Sequence, residues 1–343
     1  MSTASHHVLA VRADSMGDVL VTGPAIRAIA AHASVTVLAG PSGADAGRAL
    51  PGVERVVVHA LPWIVAQPGS CDTATVESLL ADVRGLAPDE AVIFTSFHQS
   101  ALPLALLLRL AGVARISAIS DDYAGSLLDV RHRVSDDVHE VERALSLAAA
   151  AGFAPPSHDD GRLAIDRAAR TPQTRRPYVV VHPGASVRAR AWDPDRHRAL
   201  VRELARAELD VVVTGGPSER ALTSFVAGDQ ARARDAGGAT SFGELADILA
   251  GACAVVCGNT GPAHLAAAVG TPVVSLYAPT VPASRWRPWR IEHVLLGDQD
   301  ASCRGCRARE CPVEGHPCLD VSVAEVVHAV ERFVPGKSWG WAA

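Results

Sequence analysis

Lysine is almost missing from this chain: Lys337 is the only one among 32 basic residues. With 37 acidic residues the formal net charge is −5 and the pI near 6.3, which excludes a dedicated nucleic-acid binder. The arginine and alanine bias fits a GC-rich genome. Aromatic residues are also scarce, at 4%, so Ala, Val and Leu must supply most of the packing. Long apolar runs are absent. Ala101–Val113 is interrupted by Pro103 and Arg109 and is far short of the ~20 residues a membrane span requires. Residues 1–7 carry no basic n-region, and Val8–Val11 is too short for a signal core. The expectation is a cytoplasmic protein with no transmembrane segment. A G-x-G-x-x-G loop is missing after the first strand as well, which argues against a nicotinamide or flavin oxidoreductase.

What is present is enough apolar material, 48% of 343 residues, for two cores. Continuous β-branched runs alternate with Ala/Leu-rich helical stretches, the pattern of buried parallel strands in a doubly wound α/β sheet. Strands are predicted at Val8–Arg12, Val35–Ala39, Val53–Val58, Ala91–Thr95 and Ala114–Ile119. Helices are predicted at Val19–His32, Thr73–Leu86, Ser100–Ala111 and Asp137–Ala151. Prolines and charges then interrupt the pattern, and it restarts. The second set has strands at Tyr178–His182, Asp210–Thr214, Ala254–Cys257 and Pro272–Leu276. Its helices lie near Asp195–Ala207, Ser218–Ala227, Phe242–Gly251, Pro262–Val269 and Val323–Phe333. The expected organisation is a Rossmann-like domain over 1–165, a linker over 166–177, a second Rossmann-like domain over 178–334 and a flexible tail over 335–343. The two domains are expected to face a central ligand cleft at their strand C-termini.

Four strand-to-helix turns carry candidate chemistry. Arg12–Asp18 follows the first strand. Gly17 permits a tight turn, and Asp18 either caps the helix or projects as a general base; Asp14 and Ser15 either assist or form the turn. His182-Pro183-Gly184-Ala185-Ser186 offers backbone amides and a hydroxyl to phosphate oxygens, and Arg190 offers a charge-assisted contact. Gly258–His264 places Thr260 as N-cap, with Gly261 and Pro262 in the first turn of a helix whose positive end suits an anion. His264 there either donates to a ligand or packs. Gly215-Gly216…Glu219 is a fourth such turn, with Glu219 accepting from a ribose or helping the first helical turn. Three anion-friendly turns in one domain assign it the nucleotide diphosphate; the first domain, with Ser15 and Gly17 flanking the acidic turn, then takes an acceptor.

Seven cysteines remain. Cys303, Cys306, Cys311 and Cys318 fall within a cysteine-rich loop over 300–320. In a reducing compartment they read either as a structural zinc site or as free thiols. Ser284–Trp289 reads as an acceptor- or membrane-touching rim, or as packing.

The set Arg12…Ser15-Met16-Gly17-Asp18-Val19…Pro24, His182-Pro183-Gly184-Ala185…Arg190…Trp192 and Gly258-Asn259-Thr260-Gly261…His264-Leu265 resembles glycosyltransferase family 9, the ADP-heptose:lipopolysaccharide heptosyltransferases. The similarity runs from about Val8 to Phe333. It implies the GT-B fold, an inverting sugar transfer that needs no metal or other cofactor, and a nucleotide-sugar donor. It also implies a glycan or glycolipid acceptor reached at the inner membrane face. The resemblance puts the catalytic base on Asp18 and the donor-binding basic residue on Arg190, where lysine is usual. Asn259 stands where the family commonly has Asp, and Trp192 is separated from Pro194 by Asp193. A non-catalytic sugar-nucleotide binder is the competing expectation.

Overall fold

The computed structural model describes residues 6–65, 68–135, 137–167 and 176–334. Of the expected linker, residues 168–175 lie outside the described residues, and so does the whole expected tail over 335–343. The chain divides into two compact units between Asp166 and Arg167.

The first unit holds strands β1 (His7–Arg12), β2 (Ser34–Ala39), β3 (Arg55–Val58), β4 (Glu90–Ile93), β5 (Arg115–Ile119) and β6 (Val130–His132). Its helices are α1 (Met16–Ala30), α2 (Ala44–Ala49), α3 (Thr73–Leu86), α4 (Leu102–Ala111) and α5 (Glu140–Ala151). The sheet is parallel throughout, in the order β3-β2-β1-β4-β5-β6. The second unit holds β7 (Tyr178–His182), β8 (Asp210–Val213), β9 (Ala233–Asp235), β10 (Ala254–Gly258), β11 (Val273–Leu276) and β12 (His293–Leu296). Its helices are α6 (Pro194–Arg206), α7 (Arg220–Ala227), α8 (Phe242–Ala250), α9 (Gly261–Val269), α10 (Ala283–Trp286) and α11 (Val323–Glu331). Its parallel sheet runs β12-β11-β10-β7-β8-β9. Counted from its own first strand, this is the order of the first sheet again. Strand order therefore reverses between β1 and β4 in one unit and between β7 and β10 in the other. Ligands of open α/β sheets bind outside the strand carboxyl ends at such a reversal.

The central strands are apolar on both faces because helices cover both. Val179, Val180 and Val181 are fully buried, as are Val255 and Val256. Local chemistry sets the helix ends. Asp193 accepts from the Arg196 amide at 3.0 Å with Pro194 in the first turn of α6. Ser241–Glu244 and Ser322–Glu325 form reciprocal caps on α8 and α11. Gly112, Gly152 and Gly270 end α4, α5 and α9 at φ of 99°, 107° and 81°.

Several boundaries differ from expectation. Helix α1 begins at Met16 rather than Val19, because Ser15 is the N-cap and Asp18 falls in the first turn. Helix α5 begins at Glu140 rather than Asp137, because the His139 ring accepts from the Val141 amide at 3.2 Å. Strand β4 ends at Ile93, so Thr95 and Ser96 leave the sheet. The short strands β6, β9 and β12 and helices α2 and α10 lack a long apolar run and were not expected. Among the described residues no helix is long and apolar enough to cross a membrane.

Candidate active site

At the reversal of the first sheet, β1 delivers Arg12 into a buried polar cluster. Its guanidinium is 2% exposed and stands 3.0 Å from Asp14 Oδ2, 2.9 Å from Asp18 Oδ1 and 3.9 Å from Glu140 Oε2. Arg12 Nη2 also donates to Ser96 Oγ at 2.9 Å. Asp18 is held on both oxygens. Oδ2 accepts from the Ser15 amide at 3.2 Å and the Ser15 hydroxyl at 2.6 Å. Oδ1 accepts from Arg12 and lies 3.4 Å from the Ser96 hydroxyl oxygen. Asp18 caps the helix start through Ser15 and also stands at the sheet reversal. Asp14 is not merely a turn former. It accepts from Gln99 Nε2 at 2.7 Å and from Ser96 Oγ at 3.2 Å, while Gln99 Oε1 accepts from the Ser96 amide at 3.0 Å.

The two carboxyl groups are driven apart. Burial is the largest influence on each. For Asp14 it prevails, reinforced by the Asp18 charge, and the carboxyl is raised above the usual aspartate value. For Asp18 the Arg12 charge and the hydrogen bonds from Ser15 and Arg12 outweigh burial and hold it below that value. Gly17 is buried behind this turn. Across it, Gly40 approaches so closely that a Cβ would lie 2.2 Å from the Ala13 carbonyl oxygen.

At the reversal of the second sheet, β7 ends in His182. The ring is buried, which keeps it neutral against the opposing pull of Glu219, and its Nδ1 lies 3.0 Å from Thr214 Oγ1. Glu219 caps its own turn, accepting from the Gly216 amide at 2.7 Å. Its carboxylate also lies over Gly184, where a Cβ would meet Oε1 at 2.0 Å. Gly184 and Gly215 thus serve close packing around Glu219, and Ser186 is exposed at the loop. Arg190 donates from Nε to Thr280 Oγ1 at 3.1 Å. Its charge also bears on Tyr277, whose hydroxyl is raised chiefly by burial. Asn259, buried at the end of β10, donates to the Tyr277 oxygen at 3.2 Å, and Tyr277 donates to the Pro282 carbonyl at 3.2 Å.

Thr260 occupies the N-cap of α9, but its hydroxyl faces the Gly258 carbonyl at 3.5 Å and does not bond a helix amide. Pro262 has no N–H, and the Ala263 amide is turned to the Thr260 carbonyl at 3.1 Å. This helix start after Gly261 therefore offers fewer amides to an anion than its spacing suggests. His264 is 3% exposed with its ring 6.1 Å from Trp286, and Trp289 is buried with Arg290 over its ring.

The cysteine quartet lies close enough together for the thiols of Cys303, Cys306 and Cys311 to bear on Cys318. Among the described residues no group of three or more His, Cys, Asp or Glu is placed to hold a metal ion. Cys318 is buried and Cys303 packs against the same core, whereas Cys306 is exposed and the Cys311 thiol faces the Val313 carbonyl at 3.5 Å. Burial and the neighbouring thiols of Cys303, Cys311 and Cys306 push Cys318 up to about 11. The loop braces the reversal of the second sheet: Gly305 and Arg307 donate from their amides to Pro279 and Thr280, and Ala189 donates to Arg309.

Sequence reasoning missed Ser96, Gln99 and Glu140 in the first unit and Thr214, Tyr277 and Thr280 in the second. The signal available for Ser96 was its place just after the fourth strand, the far side of the predicted reversal.

Two six-stranded parallel sheets of this order, one in each unit, place the protein in the GT-B fold class. The same fold is found in the Escherichia coli ADP-heptose LPS heptosyltransferase II, at a TM-score of 0.75 and 18% identity over 95% of this chain and 98% of that one. The chain belongs to glycosyltransferase family 9 (heptosyltransferase), whose sequence profile matches residues 97–316. It is 29% identical over 167 residues to an E. coli lipopolysaccharide heptosyltransferase 3, covering 48% of each protein, so it spans about half the length of that relative. It is 26% identical over 339 residues to the Pseudomonas aeruginosa lipopolysaccharide heptosyltransferase 1, covering 89% of this chain and 87% of that one.

Proposed function

We propose that this protein is an inverting glycosyltransferase that moves a sugar from a nucleotide-sugar donor of the ADP-heptose type to a hydroxyl of a cell-envelope glycan or lipid-linked acceptor. It does so without a metal, in the cytoplasm at the inner membrane face. The observation that carries the reading is the Asp18 carboxylate, kept ionised by Arg12 and Ser15 at the sheet reversal. An ionised carboxylate with an accessible edge is the group needed to take the proton from an acceptor hydroxyl as it attacks the anomeric carbon. The same oxygen attack breaks the bond to the nucleoside diphosphate. Arg190, Ser186 and the amides around Thr260–His264 are the donors assigned to that leaving group. Likeness to the E. coli ADP-heptose LPS heptosyltransferase II supports ADP-heptose as the donor class.

Asn259 favours one competing reading, a non-catalytic sugar-nucleotide binder, because the amide is committed to Tyr277 and carries no charge. ADP release from ADP-heptose with a cell-envelope glycan fraction as acceptor separates the two. Asp18→Asn is expected to lower turnover by about 10²–10⁴-fold while calorimetric ADP affinity is unchanged. Wild-type turnover by Asp18→Asn removes the base assignment. Binding of ADP-heptose by the wild-type protein without any ADP release favours the binder.

A further inference from the structure

Asp18 accepts from the Ser15 amide, the Ser15 hydroxyl and Arg12, and an ionised carboxylate presents about four lone-pair positions, so one remains open to a proton. Ser96 has a single hydroxyl proton, which it donates to Asp14 Oδ2 at 3.2 Å. The same oxygen lies 3.4 Å from Asp18 Oδ1, where a lone pair can receive a proton from that carboxyl.

We propose that Ser96 and Asp14 form with Asp18 a proton relay, in which Asp14 is the terminal acceptor of the proton taken from the sugar acceptor. This rests on Asp18 being the base. The acceptor O–H bond breaks and its proton goes to Asp18. Asp18 passes it to Ser96 Oγ as Ser96 gives its own proton to Asp14 Oδ2. The serine ends as a neutral hydroxyl, Asp18 ends ionised, Asp14 ends protonated, and charge and atoms balance.

Three features of the cluster suit that direction. Ser96 is 4% exposed, so water does not compete for its hydroxyl. It is oriented by Gln99, which binds the Ser96 amide with one end and Asp14 with the other. The charged groups facing the pair are Arg12 from β1 and Glu140 from the start of α5, in addition to the two aspartates. Asp14, raised where Asp18 is lowered, is where the proton rests. Asp14 and Ser96 are positioning residues here; Asp18 alone meets the substrate.

The test uses the full chain and ADP release from ADP-heptose with the same envelope glycan fraction. Ser96→Ala is expected to lower kcat about tenfold to a hundredfold with KM for the donor unchanged, and Ser96→Thr, which keeps the hydroxyl, to restore most of it. Asp14→Asn is expected to lower kcat likewise and to move the acid limb of the pH profile to lower pH, since Asp14 must be ionised to receive the proton. If Asp18→Asn is inactive while Ser96→Ala and Asp14→Asn keep the wild-type kcat and profile, the relay is wrong and the base assignment stands. If Asp18→Asn is active, both fall. Where Asp14→Asn does not fold, carboxyl NMR titration of the wild-type protein decides: Asp14 titrating above Asp18 supports the relay, and the reverse order overturns it.

Discussion

Gly40 shows how a single missing side chain governs the first half-site. Its backbone crosses the Ala13–Asp14 turn so closely that a Cβ would stand 2.2 Å from one carbonyl oxygen and 3.2 Å from the next. Both obstacles are backbone, so neither can swing aside. Gly40→Ala is expected to destabilise the first unit by about 1–3 kcal/mol through overpacking and to lower turnover by displacing Asp14. Urea unfolding alongside ADP release checks this; wild-type values in both would show that the turn is not so confined. Asp18 was legible from sequence because it lies in a local motif, six residues after the end of a strand. Ser96 and Glu140 were not, because Arg12 meets them across 84 and 128 residues of chain, and no spacing rule spans that distance.

At the scale of elements, α6 docks through a histidine. His197 is 1% exposed, its ring meets Trp192 edge-on at 4.8 Å, and burial lowers it to about 3, with His182 adding to the shift. The folded protein therefore keeps it neutral where the unfolded chain, near 6.5, takes up a proton. As pH falls from about 6.5 towards 3 the unfolded state binds the extra proton, so stability is lost on acidification. The slope contributed is up to about 1.4 kcal/mol per pH unit. His197→Phe, which keeps the ring, is expected to flatten the acid side of the stability curve measured by denaturant unfolding. An unchanged slope would mean that the ring is already solvated. Element identity was largely readable: the Val-rich central strands and the capped helices stand where the pattern put them. The edges β6, β9 and β12 did not reveal themselves. A three- or four-residue strand has too few positions to show a period and owes its existence to the neighbour it pairs with.

For the molecule as a whole, burial decides which thiols react. Cys257 sits on β10 in the middle of the second sheet, fully buried and raised to about 12, whereas Cys71 is exposed. Alkylation at pH 8 is expected to modify Cys71 at once and Cys257 only through global opening of the second unit, at a rate that rises with denaturant. Modification of Cys257 in native buffer as fast as Cys71 would contradict the packing of that sheet.

The same strand order appears twice because the same alternation of apolar strand and amphipathic helix is written twice in the chain, and right-handed crossovers leave such a pattern few ways to close. That much, with the turns that end on Asp18, His182 and Asn259, is determined by local sequence, since it depends on periodicity, caps and glycines acting over a few residues. Which side chains surround those turns is decided by tertiary structure alone. One buried guanidinium stands against Asp14 of the first turn, Asp18 of α1 and Glu140 of α5, and the division of charge among them exists only once the sheet has assembled.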